Sequence, residues 1–245
     1  MDKDEVVGVV TDPGSSLTPK AAHARGVQVL DPSQPLEPQY RRLLEHYDRL
    51  LSLHASPLLC PMHDAAAEAA EALSDRVQIV NTRLGSAGLG AATLRAAELI
   101  AHGADVTEVL YEVERLAREG RFYLLTHDLE RLVENRMLPA LVGRFGRVWG
   151  HWALIGLKQG RFQAPRPVRE SKLLPALVRL LRRSLATRRL RVRAALGDLP
   201  PQLPADLKEA LSNSLQLEAG SLAPMDPLAR ERVGDRALAV FAYPL

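Results

Sequence analysis

The chain has 245 residues, 47% hydrophobic and 25% charged, with a formal net charge of +3. This is an ordinary globular composition, with core enough for one large domain or two smaller ones. A single cysteine, Cys60, excludes an internal disulfide framework and a cysteine-rich zinc site.

Aromatic residues make up only 4%, so the core must be built mainly of Leu, Ala and Val. No apolar run approaches the ~18 residues of a membrane span. Residues 1–5 also lack the basic-then-apolar order of a signal peptide. The expectation is a cytoplasmic protein without stable membrane insertion.

Val6 to Val10 is a nearly continuous apolar run, as in a strand buried on both faces. Turn residues fill Thr11 to Ser16, and Thr18-Pro19 predicts an N-cap followed by a first-turn proline. Val27 to Leu30 is a second predicted strand. Ser33 is the expected cap of a helix running through Tyr40, Leu43, Leu44, Tyr47 and Leu50. Pro57 to Cys60 reads as a third strand, Asp64 as the cap of an alanine-rich helix to Leu73, and Val77 to Val80 as a fourth strand.

Asn81 to Gly90, N-T-R-L-G-S-A-G-L-G, is the most informative stretch. It leads into a helix with Leu89, Ala92, Ala96, Leu99 and Ile100 on one face, ending at Gly103. Its glycines give G-x-x-G-x-G rather than the dinucleotide pattern G-x-G-x-x-G. Two readings stand: N–H groups at the helix start receive an anion, or the small residues serve a tight turn and close packing. A further helix uses Val106, Leu110, Val113 and Ala117 and ends at Gly120, before a strand at Phe122 to Leu125. Thr126 or Asp128 then starts a helix through Leu132. Strand and helix alternate throughout, which predicts a largely parallel sheet with helices on both faces.

After about Gly150 the pattern changes. Trp152 to Leu157 and Arg161-Phe162 flank Lys158-Gln159-Gly160 as a hairpin. A helix at Lys172 to Ala186, a strand at Leu190 to Leu196 and a proline-marked loop follow. A helix from Asp206 to Leu211 and strands at Leu215 to Leu217 and Leu238 to Tyr243 complete the chain. The expected fold is α/β in two domains, a parallel-sheet domain at 1–150 and a mixed α+β domain at 151–245. Arginines 179, 182, 183, 188, 189, 191 and 193 are either an acidic-partner surface or the solvated face of a helix and strand. No aromatic residue interleaves with them, so nucleic acid is not an expected partner.

Taken in order, these segments resemble the DegV family of bacterial fatty-acid-binding proteins. Val9-Val10-Thr11-Asp12 with Ser15-Ser16-Leu17 resembles the family's V-T-D-S-T-x-D-L, and Ser33-Gln34-Pro35 the core of T-S-Q-P-S. Asn81-Thr82 through Ser86-Ala87-Gly88-Leu89-Gly90 resembles D-S-x-x-x-S-x-G-x-G. Phe122-Tyr123, Asp128-Leu129, Leu132 and Arg136 resemble Y-F-V-V-D-T-L-x-x-L-x-x-G-G-R. Lys158-Gln159-Gly160 and Val168-Arg169 resemble the later D-G and R-G landmarks. The resemblance implies a two-domain α/β protein that buries one long-chain fatty acid between its domains and presents it to a separate fatty-acid kinase. It implies no chemistry by the chain itself, hence no catalytic residue, cofactor or metal.

The chain departs from that pattern where the resemblance places the carboxylate. Pro32 stands for the threonine of T-S-Q-P, removing a hydroxyl and an N–H together. The family's S-S-x-L-S-G-T-Y at a helix start is replaced by Pro61-Met62-His63-Asp64-Ala65, where Asp64 is expected to repel an acid. H-T-G-P-G-A-L-G-V becomes Arg232-Val233-Gly234-Asp235-Arg236-Ala237-Leu238-Ala239-Val240, without the histidine. The candidate ligand-binding residues are therefore Ser33, Met62, His63, Ser86, Arg232, Gly234 and Arg236: either Arg232, Arg236 or His63 replaces the lost donors, an arginine fork suiting a carboxylate, or the ligand is a neutral or otherwise different lipid. For Arg232 and Arg236 the plain alternative is an exposed turn before the last strand. His127-Asp128 and His151 read as structural, and Cys60 as a small core residue. Two other functions remain open: an interaction module that has lost its lipid, and a small-molecule kinase-like enzyme, although no nucleophile–base pair or phosphate loop is evident.

Overall fold

The computed structural model describes residues 5–73, 75–140, 151–185 and 188–245. Residues 1–4, residue 150 and Ala186, which the sequence reading also touches, lie outside them. The first sheet is parallel, with strands β1 (Val7–Thr11), β2 (Val27–Val29), β3 (Arg49–His54) and β4 (Val77–Asn81) in the order β2-β1-β3-β4. Helices α1 (Pro19–His23), α2 (Leu36–Leu43) and α3 (Met62–Ala70) make the crossovers that parallel neighbours require.

The structure differs from three local expectations. The third strand is β3, and Pro57–Cys60 is a turn in which the Leu59 and Cys60 amides both donate to the Ser56 carbonyl. Helix α2 stops at Leu43. Leu50 shares its spacing but is a fully buried strand residue, with its amide donating to the Arg76 carbonyl. Neither expected cap is one. Ser33 bonds Asp31 through both its amide and its hydroxyl, and Asp64 lies inside the first turn of α3 beside His63.

The second sheet is mixed, with strands β5 (Arg121–Thr126), β6 (Trp152–Lys158), β7 (Arg161–Phe162), β8 (Arg166–Val168), β9 (Leu190–Leu196), β10 (Leu217–Pro224) and β11 (Ala237–Pro244). Their order is β10-β9-β11-β5-β6-β7, with β8 also on β6. Gln159 (φ 51°) and Gly160 (φ 74°) form the β6–β7 hairpin turn, where positive φ at both central residues matches the strand twist. The sheets do not divide at residue 150: β5 lies within 1–150 and pairs with β6 and β11 in the second sheet.

Helix α4 (Ala87–Ala101) packs against β1 on one side and against β9 and β11 on the other. This double contact explains the small, apolar composition of its first half, Ala87 to Thr93, which is buried throughout; Arg95 and Glu98 farther along are partly exposed. Helices α5 (Val106–Glu119) and α6 (Leu129–Glu134) follow; a capping box of Asp105 and Glu108 starts α5. On the far face of the second sheet lie α7 (Leu173–Leu185) and α8 (Leu203–Ser212), and α9 (Pro227–Val233) precedes β11.

Alternation along β11 separates the two cores. Leu238, Val240 and Ala242 face α7 and α8, whereas Ala237, Ala239 and Phe241 join one continuous core that reaches Val9 and Leu51 of the first sheet. Arginines 179, 182 and 183 lie on the exposed face of α7. Arg193 of β9 does not share that solvated setting: it is 5% exposed, on the α4 side of its strand.

Candidate functional site

Between α9, the Gly14 turn and the faces of β5 and β11 lies a cavity of about 50 Å³. Its wall is largely apolar, including Leu59, Phe122, Leu124, Met137, Met225 and Leu228. Arg232 is the only charged side chain among the described residues lining it. Helix α9 supplies the arginine. Asp226 caps it by accepting from the Leu228 amide at 2.8 Å, and Pro227 sets the first turn. Leu228 and Arg232 are four residues apart and so share a helix face. The Arg232 Nε atom is buried and has no hydrogen-bond partner among the described residues.

Ser86 enters the cavity from the start of α4. Its backbone is strained (φ 43°, ψ −118°), and its hydroxyl stands 3.1 Å from that of Ser16, itself at φ 50°. Ser16 Oγ also accepts from the Asp226 amide at 3.3 Å, and the Ser16 carbonyl from Arg193 Nη2 at 2.8 Å. The loop after β1 is thus bonded to the glycine turn that opens α4, to β9 and to α9. Packing is one duty of the glycine turn: a Cβ on Gly90 would stand 2.4 Å from the Ser15 carbonyl oxygen.

Burial controls the ionisation of the cavity's neighbours. It pushes the Cys60 thiol up to about 12, helped by the charge of Asp12, so the cavity carries a neutral thiol. Burial also holds the Asp226 carboxyl above the usual range, despite amide hydrogen bonds that favour its ionised form. Behind the Gly14 turn a polar network is sealed from solvent. His54 Nδ1 is 2.9 Å from Asp12 Oδ2 and its Nε2 is 2.8 Å from Ser52 Oγ, which Tyr40 OH also meets at 2.9 Å. The order Ser–His–Asp matches a catalytic triad, but all four side chains have zero exposure and none lines the cavity. The network ties α2 and β3 to the turn that follows β1.

Of the residues singled out from sequence, Ser86 and Arg232 meet in the cavity. The others lie elsewhere. Ser33 is exposed in a turn with Asp31, and Met62 is buried in the core at the start of α3. His63 pairs with Asp64 at 2.9 Å, its ring 6.3 Å from that of His54. Gly234 (φ 91°) closes α9 in a left-handed turn against Asp128. Arg236 lies over the Trp152 ring at 5.5 Å and 3.9 Å from Glu170. Asp64, the expected repellent, has its side chain 75% exposed and is absent from the cavity. The sequence reading also missed Cys60, Met137, Phe162 and Met225 as lining residues; the Asp226-Pro227 cap pair was the available signal for α9.

A wider cleft of about 930 Å³ runs along α5 and the β5–β6 edge. Its arginines already have partners, Arg83 and Arg118 in Glu114 and Glu119 and Arg121 in carbonyls ending α5, while Lys158 stands at the exposed rim. The small cavity, with its apolar wall and the buried, unbonded Arg232 Nε, is the better candidate despite its size. Among the described residues no helix is long and apolar enough to cross a membrane, and no group of three or more acidic, His or Cys side chains is placed to hold a metal.

Solved structures of DegV proteins match the whole fold. A DegV family protein of Thermus thermophilus, described as fatty-acid binding, has a TM-score of 0.87 at 24% identity, covering 98% of this chain and 100% of the other. DegV of Bacillus subtilis, described as a fatty acid binding protein, has a TM-score of 0.82 at 15% identity, covering 98% and 100%. At such identities the likeness establishes the fold. A DegV domain-containing protein of Deinococcus radiodurans is 34% identical over 147 residues, which are 59% of this chain and 52% of that relative. One from Streptomyces coelicolor is 32% identical over 131 residues, 53% of this chain and 47% of its own. The match therefore spans about half the length of these curated relatives. The profile described as "Uncharacterised protein, DegV family" matches residues 32–245, and the chain belongs to the DegV family.

Proposed function

We propose that this chain binds one long-chain fatty acid in the cavity, its carboxylate on Arg232 and Ser86 and its acyl chain along the apolar wall. The chain performs no chemistry on the acid in this reading, and presents it to a separate fatty-acid kinase. The observation that carries the proposal is the buried, unpartnered Nε of Arg232 in a largely apolar wall. A guanidinium in such surroundings is costly to desolvate alone, and a carboxylate fork relieves that cost. The fatty-acid binding described for the Thermus thermophilus and Bacillus subtilis proteins of the same fold supports the reading.

The cavity holds about 50 Å³, whereas ligand pockets typically run to about 300–1,000 Å³. Entry of an acyl chain therefore requires lining side chains to move aside. Met137 and Met225 are suited to this, because an unbranched thioether chain repacks easily.

Calorimetric titration with oleate tests the site. The Arg232→Ala variant should bind more weakly by ~1.5–3 kcal/mol, the value of a hydrogen bond to a charged group. Unchanged affinity removes Arg232 from the site. A wild-type protein that binds no C16 to C18 acid, and releases no acyl chain on denaturing mass spectrometry after purification, sinks the whole reading. Acyl phosphate should form only when a fatty-acid kinase is added with ATP; turnover by this chain alone contradicts the non-catalytic role.

A further inference from the structure

We infer that Ser16 and Arg193 are positioning residues that aim the Ser86 hydroxyl proton into the cavity, so that the chain prefers an ionised acid to a neutral lipid of equal length. The inference rests on the fatty-acid reading above and adds two residues that do not line the cavity.

A serine hydroxyl has one proton and two acceptor sites. Ser16 Oγ lies 3.3 Å from the Asp226 amide nitrogen and 3.1 Å from Ser86 Oγ. The amide can only donate, so it takes one acceptor site of Ser16 and favours the arrangement in which Ser16 donates to Ser86. Ser86, accepting from Ser16, then has its own proton free for the cavity it lines. A carboxylate brings no proton and needs that donor.

Arg193 holds the loop that makes this possible. Its Nη2 donates to the Ser16 carbonyl at 2.8 Å, across 177 residues of sequence. Ser16 and Ser86 both have positive φ, 50° and 43°, which non-glycine residues keep only when their surroundings enforce it. Arg193 is 5% exposed, pairs with no acid among the described residues and leaves its Nε without a partner. Burying a guanidinium on such terms costs stability. What it secures is the position of Ser16. Gly90 completes the clamp: a Cβ there would stand 2.8 Å from Arg193 Nε, so guanidinium, loop and helix are in direct contact.

The test compares oleate with oleyl alcohol. The alcohol carries its own proton and can donate to Ser86, so it is indifferent to the direction of the chain of hydroxyls. In the Ser16→Ala variant oleate affinity should fall about ten-fold while alcohol affinity stays within about two-fold of wild type. Arg193→Met should act in the same direction, and Arg193→Lys, which retains a donor for the Ser16 carbonyl, should restore most of the loss. Equal losses for both ligands in Ser16→Ala mean a merely structural role and overturn the inference, as does no loss in either. If Arg193→Met does not fold, Ser16→Ala decides alone. If the alcohol does not bind wild type, the thermal midpoint replaces it: oleate affinity lost at an unchanged midpoint supports the role, and loss in step with the midpoint overturns it. A wild type that binds no acid sinks the fatty-acid reading itself, whereas oleate binding untouched by Ser16→Ala sinks only this role.

Discussion

Cys60 and Asp226 show how burial sets the chemistry around Arg232. The thiolate, not the thiol, is the reactive form of cysteine. With its pKa pushed up to about 12, Cys60 stays protonated at ordinary pH, the nearby arginine notwithstanding. A disulfide reagent at pH 8.5 should label the native protein roughly a hundred-fold or more slowly than the urea-unfolded chain. Fast labelling of the native state would place the thiol in solvent instead. Asp226 is also held above its usual range by burial, against the Leu228 and Ala229 amides that favour its ionised form. A carboxyl whose folded pKa is raised gives its stability contribution in full below the unfolded value of 3.8, and loses it as pH rises through the folded value. Asp226→Asn keeps a competent cap and removes the penalty of the buried charge. Its thermal midpoint should therefore gain on wild type between pH 4 and pH 7, and a gap that narrows over that range contradicts the argument.

Helix α4 reverses the ordinary effect of a glycine substitution. In an exposed helix Gly→Ala stabilises by about 1 kcal/mol. At Gly90 the added Cβ meets the Ser15 carbonyl at 2.4 Å, a backbone atom that cannot swing away. Gly90→Ala should destabilise by ~1–3 kcal/mol in urea unfolding, the usual range for overpacking. A stabilised variant would show that the loop and helix are not in contact. The small residues of this helix start were legible because a cluster of glycine, serine and alanine has few other uses. Strand β3 was not: Leu51, Ser52, Leu53 and His54 are buried on both faces, so the strand has no alternation, and Leu50 continued the helical spacing of Leu43 and Tyr47. Helix α9 was hidden by its seven-residue length and its charges, which left Arg232 in an apparent turn. Along β9, Arg191 and Arg193 alternate with Leu190 and Val192, so the sequence separates the two faces of the strand. Only the tertiary fold reveals that the arginine face meets α4 rather than water.

At the scale of the whole molecule, the core that joins the sheets decides how the protein unfolds. Val9 and Leu51 of the first sheet, Leu89 and Ala96 of α4, and Phe122 and Phe241 of the second belong to one buried cluster. The ion pairs around the same seam are weaker ties. Arg95, Glu98, Glu112, Arg115 and Arg191 link α4, α5 and β9 but remain partly exposed, and such pairs contribute about 0–1 kcal/mol each. Loss of the apolar seam would therefore strip the first sheet of its core and leave the second only the smaller core beneath α7 and α8. Heating should give a single transition with equal calorimetric and van't Hoff enthalpies. Because the cavity is walled by both halves of that core, a bound acid must stabilise them together. Oleate at roughly 100 times its dissociation constant adds about 2.7 kcal/mol, which for a chain of this size moves the midpoint by about 5–10 °C. That shift should appear in the one transition without splitting it. Two resolved transitions, with only one of them moved by oleate, would mean that the sheets melt independently and that the ligand belongs to one of them.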